Sequence, residues 1–282
     1  MHRLAISMKT LFLAALGLSG AMTAPAHAAD VALARLDCGN EPQPVSVASF
    51  SDTLAYPDLK LPLTYSCYVI RHGDRYIVWD TGNPRDGEPE APKTALVDLL
   101  AQAHVPVDAV DYVGISHYHH DHTGQLASLP EATLLIGGGD WDAIRAMEPP
   151  VGVDAKAFAS RRAPFAPWLS GGAKVDPVRG DRKDVFGDGS VVIISLPGHT
   201  PGHSGLLVKL EKSGYVLLSG DVTHFHENYD TDGVPAWNTS RADSLASLDR
   251  FRRIARNLHA TVIIQHDPRD IAKLPAFPEF AK

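Results

Sequence analysis

The chain has 282 residues, 44% of them hydrophobic and 21% charged, with a formal net charge of −7. These ordinary values exclude a disordered chain, a collagen-like repeat and a coiled coil. An acidic chain without a block of Lys or Arg is also poorly suited to nucleic acid or anionic membranes, which favours small substrates.

Arg3 and Lys9 open a segment with an apolar centre at residues 11–18 and the small-residue site Ala26-His27-Ala28. That is the pattern of a secretory signal peptide cut after Ala28, and its apolar run is too short to anchor in a bilayer. The expectation is an exported protein, periplasmic or secreted, with residues 29–282 as one domain. Removing residues 1–28 takes away two basic residues and no acid, leaving a net charge of about −9. The two cysteines, Cys38 and Cys67, could pair in an exported protein. Both sit in strand-like apolar contexts that suit buried free thiols equally well.

A first strand is expected at 31–36, then a Pro- and Ser-rich loop over 40–62. Strands at 63–71 and 76–79 form a hairpin around His72-Gly73-Asp74. The second runs into Asp80-Thr81-Gly82, where Asp80 is expected to hydrogen-bond its own turn rather than bind a ligand. Residues 94–103 have helical spacing at Leu96, Leu99 and Leu100, with Thr94 as N-cap. A buried strand at 109–115 then delivers His117, His119, His120, Asp121 and His122 within six residues. Imidazole and carboxylate are ligands for zinc and similar divalent ions. A loop leaving a strand end lets alternate residues converge, so His117 and His119 could share one ion while Asp121 and His122 turn toward a second.

Further along, a short helix is expected after Gly124, ending at Leu129, then a strand at 133–136 and a helix at 141–147. Residues 148–172 carry Phe158, Phe165 and Trp168 with little periodicity and read as an insertion packed over a site. A β-branched strand at 191–196 ends in Pro197-Gly198-His199-Thr200-Pro201-Gly202-His203. Strands at 205–210 and 215–218 follow, the latter running into Gly220-Asp221. An amphipathic helix at 242–258 presents Leu245, Leu248, Phe251 and Ile254 on one face. The last strand, 261–264, ends in Gln265-His266. His or Asp thus recurs at successive strand ends, as a metal site along one edge of a sheet sandwich requires.

Taken together, Ser116–His122, Asp80-Thr81-Gly82, the 197–203 motif, Gly220-Asp221 and Gln265-His266 resemble, in order, the motifs of the metallo-β-lactamase superfamily. The resemblance implies an α+β fold, an αβ/βα sandwich of two facing β-sheets flanked by helices. It also implies two divalent metal ions, zinc first, with manganese, iron or cobalt as alternatives. His117, His119 and His199 would hold one ion and Asp121, His122 and His266 the other, with Asp221 bridging. His120 would point away, and His203 would orient a ligand from behind. His72, His104 and His259, without motif context, are expected at the surface.

A hydroxide shared by two such ions would attack a carbonyl or phosphoryl centre, with Asp221 and Asp121 as catalytic acids or bases. Asp221 in the bridging position argues against a true β-lactamase, and the short C-terminus and acidic surface argue against thioesterase and RNA-processing members. Within the superfamily, Leu36–Gly39, Ser66–Ile70, Trp79–Gly82 and Gln265–Asp267 resemble secreted N-acyl-homoserine lactonases. One departure is His224, which stands where many of those lactonases carry a tyrosine that steadies the substrate carbonyl. Tyr118, Phe225, Trp237 and Trp168 are expected to form an apolar substrate wall. The rivals are an exported organophosphate or arylester hydrolase and a non-catalytic metal-binding protein. A homodimer through the N-terminal loop is implied by resemblance alone.

Overall fold

The computed structural model describes residues 30–86, 89–146, 148–149 and 154–282. The expected signal peptide (1–28), Met147 of the expected 141–147 helix and residues 150–153 of the insertion lie outside them. In chain order the described residues form β1 (Val31–Asn40), β2 (Val45–Ser46), β3 (Lys60–Leu61), β4 (Thr64–His72), β5 (Arg75–Trp79) and α1 (Leu96–Gln102). Then come β6 (Val110–Ile115), α2 (His120–Thr123), β7 (Thr133–Gly137), α3 (Gly138–Arg145), α4 (Ala155–Arg162), α5 (Ala166–Leu169), β8 (Val175–Val178) and β9 (Arg182–Asp184). The chain closes with β10 (Val191–Ser195), β11 (Ser204–Leu210), β12 (Gly214–Leu218), α6 (His226–Thr231), α7 (Arg241–Leu258) and β13 (Thr261–Ile263).

Two sheets result. One runs β1-β4-β5-β6-β7-β8 and the other β13-β12-β11-β10-β9. Period-2 alternation sends side chains of each strand to opposite faces. Leu33, Tyr68, Ile70, Ile77 and Trp79 of the first sheet meet Val191, Ile193, Leu206, Val208 and Leu218 of the second. The opposite faces are covered by helices. Cys67, Val69, Val78 and Val113 pack with Leu96, Leu99 and Leu100 of α1, while Ile194, Leu207 and Leu217 pack on Leu248, Phe251 and Ala255 of α7. Ser240 caps α7 by accepting the Asp243 N–H, a device worth about 1 kcal/mol. The architecture is the expected sandwich of two facing sheets between helical layers.

Local differences have physical causes. Thr94 does not cap α1; the first N–H, of Leu96, is instead taken by Gln125 Oε1 at 2.8 Å. The helix expected after Gly124 is only a 3-10 turn, Leu126–Ser128, and the helical turn α2 precedes it. β8 and β9 had no sequence signal because each is a sheet edge. Pro177 and the all-charged Arg182–Asp184 are what edges tolerate and central strands do not. The loop at 40–62 contains the small β2–β3 hairpin. His72 is not a free surface residue, since it stacks on Phe186 at 4.0 Å and pairs with Asp188 at 2.8 Å. His104 and His259 both sit at helix ends with left-handed backbone.

Cys38 and Cys67 are joined by a disulfide across 29 residues, tying β1 to β4. In the loop-entropy model such a crosslink contributes about 3–4 kcal/mol. Urea unfolding of a C38A/C67A double variant is therefore expected to lose that much stability, and an unchanged midpoint would show the bond to be dispensable.

Candidate metal centre

Five strands end at one edge of the sandwich, and their C-terminal loops supply the site. β6 leads to His117 and His119 and into α2, which carries Asp121 and His122; β10 leads to His199, β12 to Asp221 and β13 to His266. Asp80 follows β5. His117 Nε2, His119 Nδ1 and His199 Nε2 lie 2.9, 3.1 and 3.0 Å apart pairwise. Asp221 Oδ2 stands 3.6 Å from His117 and 3.3 Å from His199. Its other oxygen, Oδ1, lies 3.2 Å from His122 Nε2 and 2.9 Å from His266 Nε2. Asp121 Oδ2 completes this second group, 3.3 Å from His122 and 3.7 Å from His266. Two ligand quartets therefore share one carboxylate, one oxygen facing each.

The hydrogen bonds behind the ligands test whether cations fit. His199 Nδ1 bonds Asn238 Oδ1 at 2.9 Å, His266 Nδ1 bonds the Thr64 carbonyl at 2.9 Å, and His122 Nδ1 bonds Asp80 Oδ2 at 2.9 Å. Each acceptor fixes the proton on Nδ1 and leaves the Nε2 lone pair aimed inward. His122 Nε2 is buried without a hydrogen-bond partner among the described residues. Lone pairs at 3 Å from one another or from a carboxylate repel unless a shared proton or a cation lies between them. Burial pushes His117 and His199 well below the ordinary imidazole value and His119 to about 4, so the first group is neutral nitrogen. Burial opposes charge on His122 as well, yet Asp221, Asp121 and Asp80 hold it well above its usual value, so the second group demands positive charge. Burial alone would raise Asp221, but His266, His122 and His117 keep it well below the usual carboxylate range. The donor set suits two divalent cations.

Asp80 corrects the expectation of a self-bonded turn. Held at φ 58°, it accepts the Ser116 N–H at 2.7 Å and Gln265 Nε2 at 2.7 Å while orienting His122. His203 acts on a ligand residue from behind, through that residue's main chain rather than its side chain. Its Nδ1 bonds the Leu196 carbonyl, and its Nε2 accepts the Asp221 backbone N–H at 2.8 Å, fixing the shared carboxylate through its main chain. Gly220 makes this approach feasible: its φ is 51°, and a Cβ there would stand 2.6 Å from His203 Nε2. His120 is exposed at the cavity mouth.

A cavity of about 320 Å³ opens above Asp121, Asp221 and His266. Val45, Phe50, Leu63 and Trp237 line its apolar side; Glu41, Tyr65 and His224 add polar atoms. His224 is buried, stacked on His266 at 5.5 Å, with Nε2 at 3.2 Å from Asp221 Oδ2. Of the four expected wall residues only Trp237 borders this cavity. Phe225 is fully buried behind Phe50, and Trp168 is buried with its indole N–H on the Ala132 carbonyl, so neither can touch a substrate there. Among the described residues of the insertion, Phe158, Phe165 and Trp168 are buried in the core rather than packed over the site. Tyr118 lies beside His119 at 5.3 Å, outside the cavity lining, with Arg161 over its ring. Phe50, Glu41 and Tyr65 escaped the sequence reading; only the alternation of β4 hinted at Tyr65. A larger groove of about 570 Å³ lies between the second sheet and α7, where no converging ligand set is found among the described residues.

Fold and centre together define a sandwich protein with two candidate metal-binding groups at one edge. Residues 62–266 match the model of the metallo-beta-lactamase superfamily, and the chain belongs to that superfamily. It is 30% identical over 190 residues to the N-acyl homoserine lactonase AttM of Rhizobium radiobacter, an alignment covering 62% of this chain and 64% of that protein. A crystal structure of a quorum-quenching N-acyl homoserine lactone lactonase superposes with a TM-score of 0.69 at 22% identity, over 89% of this chain and 98% of that one. The dizinc quorum-quenching lactonase AidC, solved with a product bound, superposes with a TM-score of 0.68 at 15% identity over 90% of each chain. At these identities the structural likeness is one of fold.

Proposed function

We propose that this chain is an exported dinuclear-metal hydrolase, zinc-loaded, that opens the lactone ring of N-acyl-homoserine lactones. The observation that carries the reading is a carboxylate shared between two ligand groups on the floor of a cavity with one apolar side. The lactonase relatives support the choice of substrate. When bound, the ions supply Lewis acidity and an activated water. Phe50, Leu63, Val45 and Trp237 would receive an acyl chain by excluding water from it. Asp221, kept ionised by the imidazoles around it, is positioned to take up a proton and deliver it to the leaving alkoxy oxygen. The products are the carboxylate and hydroxyl of the opened ring. Export is supported by the N-terminal composition and by the Cys38–Cys67 disulfide, which persists in oxidising compartments. Among the described residues no helix is long and apolar enough to cross a membrane.

Proton release from a long-chain acyl-homoserine lactone by zinc-loaded protein tests the reading. Turnover with kcat/KM on the order of 10⁴ M⁻¹s⁻¹ or above is expected. Negligible turnover by protein carrying both ions, with rapid hydrolysis of phosphotriesters or aryl esters, would overturn the lactone assignment and leave the hydrolytic centre.

A further inference from the structure

One buried acid lies outside both ligand groups and still connects the loops that build the first of them. Asp140, in the first turn of α3, is fully buried. Its Oδ2 accepts the Thr200 hydroxyl at 2.7 Å and its Oδ1 the Gly202 N–H at 2.6 Å. The backbone N–H of Tyr118 faces the same carboxylate as a weaker third contributor to holding its charge. Tyr118 lies between His117 and His119; Thr200 follows His199. A single side chain thus joins both segments that carry the first three imidazoles.

The surrounding backbone is shaped to let it reach. A Cβ on Gly137 would fall 1.7 Å from the Gly202 carbonyl oxygen, and one on Gly139 would fall 2.6 Å from that of Pro201. Only glycine allows the start of α3 to lie directly against the 199–203 loop. No cation partners Asp140 among the described residues, and its neutral donors offset only part of the cost of burying it, so burial pushes the carboxyl up to about 7. An acid in that setting is costly as mere filler, because a packed apolar residue would serve stability as well.

We propose that Asp140 is a positioning residue for the first metal position, clamping the His117–His119 loop to the His199 loop so that three nitrogens converge within about 3 Å. The assignment rests on the two-metal reading and not on the identity of the substrate. Asparagine keeps the volume but removes the charge and one of the two acceptor oxygens that the donors share, and only the Thr200 hydroxyl can turn to accept an NH₂, so the clamp is weakened. The test is a titration of metal-stripped full-length protein with Zn²⁺ against a chromophoric chelator, repeated with Co²⁺ for its visible spectrum. Wild type is expected to bind two ions. Asp140→Asn should bind one ion with unchanged affinity and the other roughly 10–100-fold more weakly, with the Co²⁺ bands of the three-histidine position reduced and far-UV dichroism retained. Two ions bound as in wild type, or equal weakening at both positions, would overturn the proposal. Fewer than two ions on wild type would overturn the two-metal reading and this assignment with it. Should D140N fail to fold, Thr200→Val is expected to weaken the same single position and Thr200→Ser to restore it; identical affinities in both would equally refute the clamp.

Discussion

Replacing Asp221 by Asn is expected to lower the hydrolytic turnover number by roughly 10³-fold, the middle of the range for removing a positioned acid–base group. The two carboxylate oxygens face different ligand groups, at 3.3 Å from His199 on one side and 2.9 Å from His266 on the other. An amide presents one oxygen and one NH₂, so one group necessarily meets a donor where it needs an acceptor. The negative charge that offsets two cations is lost at the same time, and an amide cannot shuttle a proton at neutral pH. The fold should survive. Asn is nearly isosteric, and its backbone N–H still reaches His203 Nε2, the bond that holds this loop. Initial rates measured beside metal content and circular dichroism decide the matter. Turnover within tenfold of wild type, in a variant still holding both ions, would remove Asp221 from the chemistry.

The ligand set was legible because its constraint is local. Imidazoles and carboxylates must leave strand ends, and strand ends are visible as apolar runs that stop at polar motifs. The partners behind the ligands were only half legible. Asp80 was seen as a turn residue, because a short polar side chain before Thr81-Gly82 has a local explanation; its bonds to Ser116, His122 and Gln265 span 36 to 185 positions. His203 was read as orienting a ligand from behind, but sequence cannot tell which ligand residue, or which of its atoms, an imidazole will meet. Aromatic side chains misled for a related reason. Trp168 and Phe225 sit in stretches without periodicity, where a core residue and a cavity residue look alike. Phe50 and Glu41, which do border the cavity, come from a Pro- and Ser-rich stretch whose path is set by the β2–β3 hairpin and by contacts to distant chain such as Asn228 to the Phe50 carbonyl. What sequence periodicity reports is which face is buried, and both roles bury the residue.

Stripping the ions with a chelator is expected to lower the thermal midpoint by roughly 10–20 °C, the second large effect. Each ion held at about 100 times its dissociation constant stabilises the folded chain by about 2.7 kcal/mol, and two by about 5 kcal/mol. For a domain of this size each kcal/mol moves the midpoint by about 2–4 °C. The physical source is the arrangement already described. Nδ1 of His199, His266 and His122 is committed to Asn238, Thr64 and Asp80, so those rings cannot turn their lone pairs away without breaking a buried bond. Without cations, relief must come from protons on His122 and His266, the two rings whose neighbouring carboxylates raise their basicity. Protons neutralise the second group, while in the first a neutral His117 can donate one proton from Nε2 and still leaves His119 and His199 facing each other at 3.0 Å. Loss of stability should therefore be restored by adding Zn²⁺ and should saturate at two ions per chain. A midpoint that does not move on chelation, or that is restored in full by one ion, would show that these loops hold their geometry without the metals, and the two-ion centre would then have no claim on the fold.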